Sequence, residues 1–342
     1  MQSNKLTTIV ILLLSLPLSG CYYLQAAGGH LEVMNKREPI DALLDDPTTP
    51  EDLAQRLRLV TEARDFSIAT LALPDNDSYR SYTDLERDFV LWNIFAAPEY
   101  DLAPKTWCYP IVGCLGYRGY FDEERARGRA ERLQAQGYDV AVGGVVAYST
   151  LGKFSDPVVN TMMGWDDLRL VALLFHELAH QVIYVPDDTM FNESFATAVE
   201  ELGLELWLEQ QGQPEQIARY QQRKALQQTI IDLVGVARDD LARVYAFEDS
   251  AAQDVGKRER FAQLSADVAA VLEQQGLPPR HWLIGDIGNA HLVPIALYET
   301  WVPAFRQVYK NCEQSFDCLY AETKRLGGLP AEARHAALQA LN

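Results

Sequence analysis

Positive charge is scarce in this sequence: 30 Lys and Arg stand against 48 Asp and Glu, a net charge of −18 over 342 residues. Phosphate backbones and anionic headgroups would repel such a chain as a whole. Nucleic acid is thereby excluded as a partner, and so is a polybasic membrane contact. Long apolar runs are lacking too. The conspicuous apolar stretch, Leu6 to Leu18, has 13 residues and is too short to cross a bilayer as a helix. No internal repeat and no long linker is visible. What remains is ordinary: 48% hydrophobic and 23% charged residues exclude a disordered or fibrous chain.

The short apolar stretch has its own meaning. With Lys5 ahead of it, it fits the core of an export leader. It closes on Leu18-Ser19-Gly20-Cys21, which resembles a bacterial lipoprotein signal with Cys21 as the lipidated first residue of the mature chain. An ordinary cleaved leader with a chance cysteine is the alternative. More than one acyl chain on one residue suffices for stable anchoring. Tyr22 rather than Asp follows Cys21, and by resemblance to sorted lipoproteins this implies the outer membrane, facing the periplasm. In an oxidising compartment the other four cysteines read as disulfides, with Cys108 near Cys114 and Cys312 near Cys318 as the simplest pairing. Zinc is the rival reading for them, but neither pair has the two-to-four-residue gap of a structural site.

The chain divides into a leader (1–20), an N-terminal helical and irregular region with the first cysteine pair (21–136) and a mostly helical region (137–342), the last two read as one continuous unit. No clean period is visible to Pro47. Thr49-Pro50-Glu51-Asp52 starts a helix running to about Leu73, with Thr49 as its cap. Residues 79–121, rich in Tyr, Trp, Gly and Pro, suit an irregular packed layer, and Asp122–Gln136 a charged helix. Tyr138–Leu151 is the clearest strand signal, broken at Gly143-Gly144. From Leu168 the pattern is helical nearly to the end, with breaks at 185–188, 212–214, 276–279 and 327–328. The expected fold is α+β, mainly α, with a small sheet.

One segment carries chemistry. His176-Glu177-Leu178-Ala179-His180 lies in Leu168–Tyr184, a helix apolar on nearly every face and therefore buried. Histidines four apart share a helix face, so both imidazoles can reach one zinc ion. Glu177 projects about 100° around the helix. From there it can deprotonate a metal-bound water. With six histidines in the chain, a chance match of this kind is expected on the order of once in a hundred such sequences. A third ligand is available from the next helix at Glu193. Glu200, two turns on, shares its face and could hydrogen-bond a ligand histidine, although an exposed acid is an equal reading. For an oxyanion donor the candidates are Tyr298, then Tyr148 and His291. The strand segment 145–151 could hold an extended peptide at its edge.

His176-Glu177-x-x-His180 followed by Asn192-Glu193-Ser194-Phe195-Ala196 resembles the gluzincin metallopeptidases, and Glu200 matches an acid of their aminopeptidase branch. The interval from His180 to Glu193 is shorter than in those enzymes. More closely, the chain resembles a bacterial lipoprotein family described as aminopeptidases. That resemblance covers Trp107–Pro110, Tyr117–Phe121, Ala147–Gly152 and Phe175 through Glu200. It implies a zincin-like fold, a Zn2+ cofactor and a peptide or protein substrate. Envelope endopeptidase action and a non-catalytic metal-binding lipoprotein stay open beside it.

Overall fold

Long-range side-chain bonds, more than local periodicity, organise the first third of the molecule, as seen in a computed structural model that describes residues 22–109 and 113–341. The expected leader and the expected lipidation site at Cys21 lie outside the described residues. Among the described residues, no helix is long and apolar enough to cross a membrane.

The stretch without a visible period is in fact a helix, α1 (residues 22–35), followed by β1 (Glu38–Pro39) and α2 (Ile40–Asp45). Distant partners hold α1: Thr83 Oγ1 donates to the Val33 carbonyl at 3.1 Å, and Phe121 N donates to Gln25 Oε1 at 3.1 Å. Helix α3 (Glu51–Ala69) begins after Pro50 rather than at a Thr49 cap, with Glu51 and Asp52 in its first turn, where acids favour the helix dipole. It ends at Ala69, earlier than Leu73. Arg64, fully buried, takes the following loop in hand by donating to the carbonyls of Pro74, Asn76 and Ser78 at 2.6–3.0 Å.

Residues 79–121 are more regular than their composition suggests. They carry β2 (Ser81–Thr83), β3 (Leu91–Pro98), β4 (Trp107–Tyr109), β5 (Gly113–Leu115) and β6 (Arg118–Tyr120). After α4 (Glu123–Gln134) come β7 (Tyr138–Val145), β8 (Val158–Val159) and α5 (Asn160–Met163). Three small sheets result: β1-β2-β8 with a parallel β2-β8 pair, antiparallel β6-β3-β7, and the β4-β5 hairpin. Alternation along β3 sends Ile94 and Ala96 to the face covered by α4, and Phe95 and Ala97 to the opposite face. Strand β7 stops at Val145, short of the expected Leu151. Its glycines do not break it. Gly143 and Gly144 pair with Asn93 and Trp92, and a Cβ at either would come within 3.1 Å of Trp282 or 2.4 Å of Phe89.

From there the chain is helical: α6 (Asp167–Ala179), α7 (Thr189–Gln211), α8 (Pro214–Tyr245), α9 (Ser250–Gln274), α10 (Asn289–Glu299), α11 (Val302–Asn311), α12 (Phe316–Gly327) and α13 (Ala331–Gln339). The four expected breaks each separate two helices, three further breaks fall at 246–249, 300–301 and 312–315, and the architecture is mainly α with small sheets. Helices α8 and α9 form an antiparallel hairpin with its own apolar seam around Val234, Leu241, Leu264 and Val268. The larger core joins α3, α6, α7, α11 and α12 around Phe175, Phe191, Phe195 and Phe305. Both local disulfides are present, Cys108–Cys114 and Cys312–Cys318.

Candidate metal centre

Helix α6 is placed to carry ligands because its apolar surface leaves it nowhere to sit but the core. Asp166 caps it, accepting from Arg169 N at 3.0 Å, and His180 closes it, so the helix is shorter than the expected Leu168–Tyr184. The chain then turns sharply. Asn192 fixes that turn by bonding both polar atoms of the Val185 backbone, accepting from its N and donating to its O, each at 2.8 Å. Asp188 caps α7 through Phe191 N at 3.0 Å while its other oxygen meets Arg334 and His335 at 2.7 Å. Asp187 accepts from Cys114 N at 2.7 Å, so the disulfide hairpin rests on the same turn. Lower down, Gly203 lets α7 lie against α6: a Cβ there would stand 2.7 Å from Leu71 and 2.9 Å from Phe175.

These constraints bring three donor atoms together. His176 Nε2 and His180 Nε2 are 3.2 Å apart, and Glu193 Oε2 lies 3.4 Å from each. All three residues are buried, at 6–7% exposure. Donors about 2.0–2.1 Å from one tetrahedral ion stand roughly 3.3–3.4 Å apart, so this triangle has the edge lengths such an ion requires. Residues of this donor type and spacing could hold a divalent cation, and among the described residues they form the one such cluster.

The electrostatics point the same way. Burial disfavours charge on His176, yet the carboxylates of Glu193 and Glu200 outweigh it and hold the imidazole well above the usual histidine range. Burial likewise opposes charge on Glu193, but the two imidazoles bring its carboxyl down to about 2. The pocket thus favours a positive charge between these groups. Glu177 differs from both. Desolvation raises its carboxyl above the ordinary range despite the neighbouring histidines. A carboxylate so placed is a stronger base than a solvated one.

The other residues singled out from sequence are distributed unevenly. Glu200 reaches the site, its Oε2 3.0 Å from His176 Nδ1. Tyr148 does not join the cluster; its hydroxyl meets His30 Nδ1 at 2.9 Å and its ring packs on Phe121. His291 turns inward on its own helix, its Nδ1 accepting from Gly288 N at 3.0 Å. Tyr298 belongs to α10, and its side chain lies outside the described residues. The segment 146–151 leaves the sheet, with Thr161 Oγ1 bound to the Val146 carbonyl at 2.6 Å.

Two tyrosines that the sequence reading passed over do sense the site. Tyr117 is pushed far above its usual range by burial and then by Glu193, Tyr184 and Glu177. Tyr184 is pushed up to about 12 by burial and then by Glu193 and Asp187. Tyr117 sits within a segment that carries the family resemblance, but nothing in its spacing links it to the histidines. Tyr184 stands four residues beyond His180, past the end of α6, and senses Glu193 across the turn.

A short hairpin of buried helices presenting two imidazoles and a carboxylate defines a helical protein with a candidate metal centre. A family model described as "Putative aminopeptidase" matches residues 21–338. The chain belongs to that family. No curated protein and no solved structure matches the chain.

Proposed function

We propose that the protein is a zinc-dependent aminopeptidase anchored through lipid on Cys21 at the periplasmic face of the outer membrane. The observation that carries the catalytic part is the triangle of His176 Nε2, His180 Nε2 and Glu193 Oε2, with edges of 3.2–3.4 Å and Glu177 beside it. Zinc at these three donors would supply a Lewis acid for the attacking water and the scissile carbonyl.

The rest is done by the chain. Glu200 accepts the Nδ1 proton of His176, which leaves Nε2 with its lone pair toward the centre. Glu177 takes a proton from the attacking water on its carboxylate and hands it to the departing amine nitrogen. Its raised affinity for protons suits both halves of that exchange. Tyr117 and Tyr184 keep their hydroxyl protons at neutral pH and, sensing Glu193, are the candidate donors to a developing oxyanion. The site resembles that of gluzincins in its residues, and the family supports amide hydrolysis at a free amino terminus.

The test is metal analysis of the purified protein, followed by assays of wild type and Glu177→Gln on aminoacyl and internally quenched peptide libraries. The expected result is one zinc per chain in both proteins, with cleavage of aminoacyl substrates reduced about 10²–10⁴-fold in the variant. Cleavage of blocked, internally quenched peptides alone would replace the exopeptidase reading by an endopeptidase. Zinc without Glu177-dependent cleavage would leave a metal-binding lipoprotein.

A further inference from the structure

Far from α6 in character, a second cavity of about 1000 Å³ opens between α1, the β4-β5 hairpin, β6 and α4. Its walls hold Arg118, Arg125, Arg129 and Arg132. Three of these arginines recur on one face of α4 at intervals of four and three residues, the spacing that gathers side chains on one side of a helix. Between them, Gly128 keeps the floor low, since a Cβ there would meet nothing nearer than Arg132 at 3.9 Å. None of the four arginines forms an ion pair among the described residues. Arg127, which points elsewhere, is paired with Glu123 at 2.6 Å.

The unpaired polar atoms make the case more specific. Gln25 Nε2, Trp107 Nε1, Arg118 Nε and Arg129 Nε are all buried without a hydrogen-bond partner, and all four residues line this cavity. Every one of these atoms is an N–H donor. Leaving such a donor unmet costs about 1–3 kcal/mol, more beside a charge. These four atoms are themselves covered, so they add donor character to the wall behind the arginine side chains that line the cavity. Of the acids at the rim, Asp122 is already engaged by Arg125 N at 2.8 Å, and Glu124 is exposed. Residues 1–21 contain no Asp or Glu and so offer no carboxylate for these arginines. Tyr22 forms one wall, its ring covered by the Arg118 guanidinium at 3.8 Å and its hydroxyl 3.2 Å from that of Tyr109.

We infer that this cavity binds an organic phosphate, and that the phosphate belongs to an anionic phospholipid headgroup. Planar guanidinium groups match phosphate oxygens, and four arginines outnumber the two acids, Asp122 and Glu124, in the lining. The volume exceeds what a bare phosphate fills and leaves room for a glycerol ester. The choice of a lipid source rests on the anchoring proposed for Cys21, since the residue after it lines the cavity. The anion site itself does not depend on that reading. A chain of strongly negative net charge would use such a cavity to orient itself at the membrane surface locally, against the repulsion of its remaining surface.

Calorimetric titration of the full chain, held in a neutral sugar detergent, tests this with dihexanoylphosphatidylglycerol, dihexanoylphosphatidylcholine and inorganic phosphate. The phosphatidylglycerol should bind saturably and about tenfold or more tighter than either other probe. Arg118→Gln/Arg129→Gln should weaken it about tenfold or more, and so should Arg125→Gln/Arg132→Gln, whose side chains are exposed and whose loss leaves the core intact. Arg127→Gln should bind as wild type does. No saturable binding, equal binding of the two lipids, or unaltered binding in both double variants would overturn the site. Inorganic phosphate binding as tightly as the lipid would overturn the headgroup assignment. Mass analysis of the N-terminus reads the anchoring separately.

Discussion

The helical hairpin of α6 and α7 and the arginine-lined cavity beside α4 are opposite in almost every physical respect. In the first, carboxylates crowd two imidazoles, and the buried Glu193 is held ionised by its neighbours. In the second, four arginines that form no ion pair among the described residues share one cavity with two acids, Asp122 and Glu124. The first is buried and is positioned by the core on which its helices pack. The second is open and is positioned where α1, the β4-β5 hairpin, β6 and α4 come together. Each is an incomplete set of charges, and each implies a ligand of the sign it lacks. Net charge describes neither, because burial and spacing decide the local field.

The largest expected separation between the two regions is in their response to pH. Asp156, near Glu177, accepts from Thr150 N at 2.7 Å and Thr150 Oγ1 at 3.0 Å, yet burial lifts its carboxyl to about 6. The folded chain therefore holds that proton more tightly than the unfolded chain. The resulting stabilisation is complete below the unfolded value near 3.8 and is lost as pH rises through about 6. From this group alone, denaturant unfolding should show roughly 2–3 kcal/mol more stability near pH 4 than at pH 7. Asp156→Asn should flatten that part of the profile. Phosphatidylglycerol binding in the arginine cavity should be unaltered over the same range, since guanidinium groups do not titrate there.

A smaller effect concerns the bond between Glu200 and His176. Glu200→Gln keeps the shape but weakens the acceptor, and if the centre holds zinc as proposed, the affinity measured by chelator competition should fall about 10–100-fold. Lipid binding in the other cavity should not move. The smallest effect belongs to the Arg127–Glu123 pair on the far face of α4. Its loss in Arg127→Gln should cost only about 0.3–0.5 kcal/mol in thermal unfolding. A larger loss would mean that α4 is less independent of its surface charges than its capped, sheet-packed geometry indicates.

Much of the helical hairpin was legible from sequence, and the reason is locality. Two histidines four apart meet because a helix has 3.6 residues per turn, and Glu193 follows a turn too short to carry it away. The cysteine pairs and the Pro- and Gly-marked breaks after Leu168 are local in the same sense. The arginine cavity was hidden because its four arginines come from a strand and a helix read simply as charged, inside a strongly acidic chain. Helix α1 was missed because its fixing bonds run to Thr83 and Phe121. Strands β4 to β6 have three residues each, too few for an alternation to register, and gain their form from pairing. Tyr117 belongs with the histidines only through folding.

The bidentate grip of Asn192 on Val185 separates two quantities that a loop usually ties together. The amide ties the head of α7 to Val185, while the packing of α7 on α6 sets where the carboxylate ligand stands. Chain added between Gln181 and Tyr184 would therefore bulge outward and leave the metal-binding register untouched, provided Val185 still seats. The rim of the centre would then be open to redesign by insertion alone, with the donors beneath it left as they are.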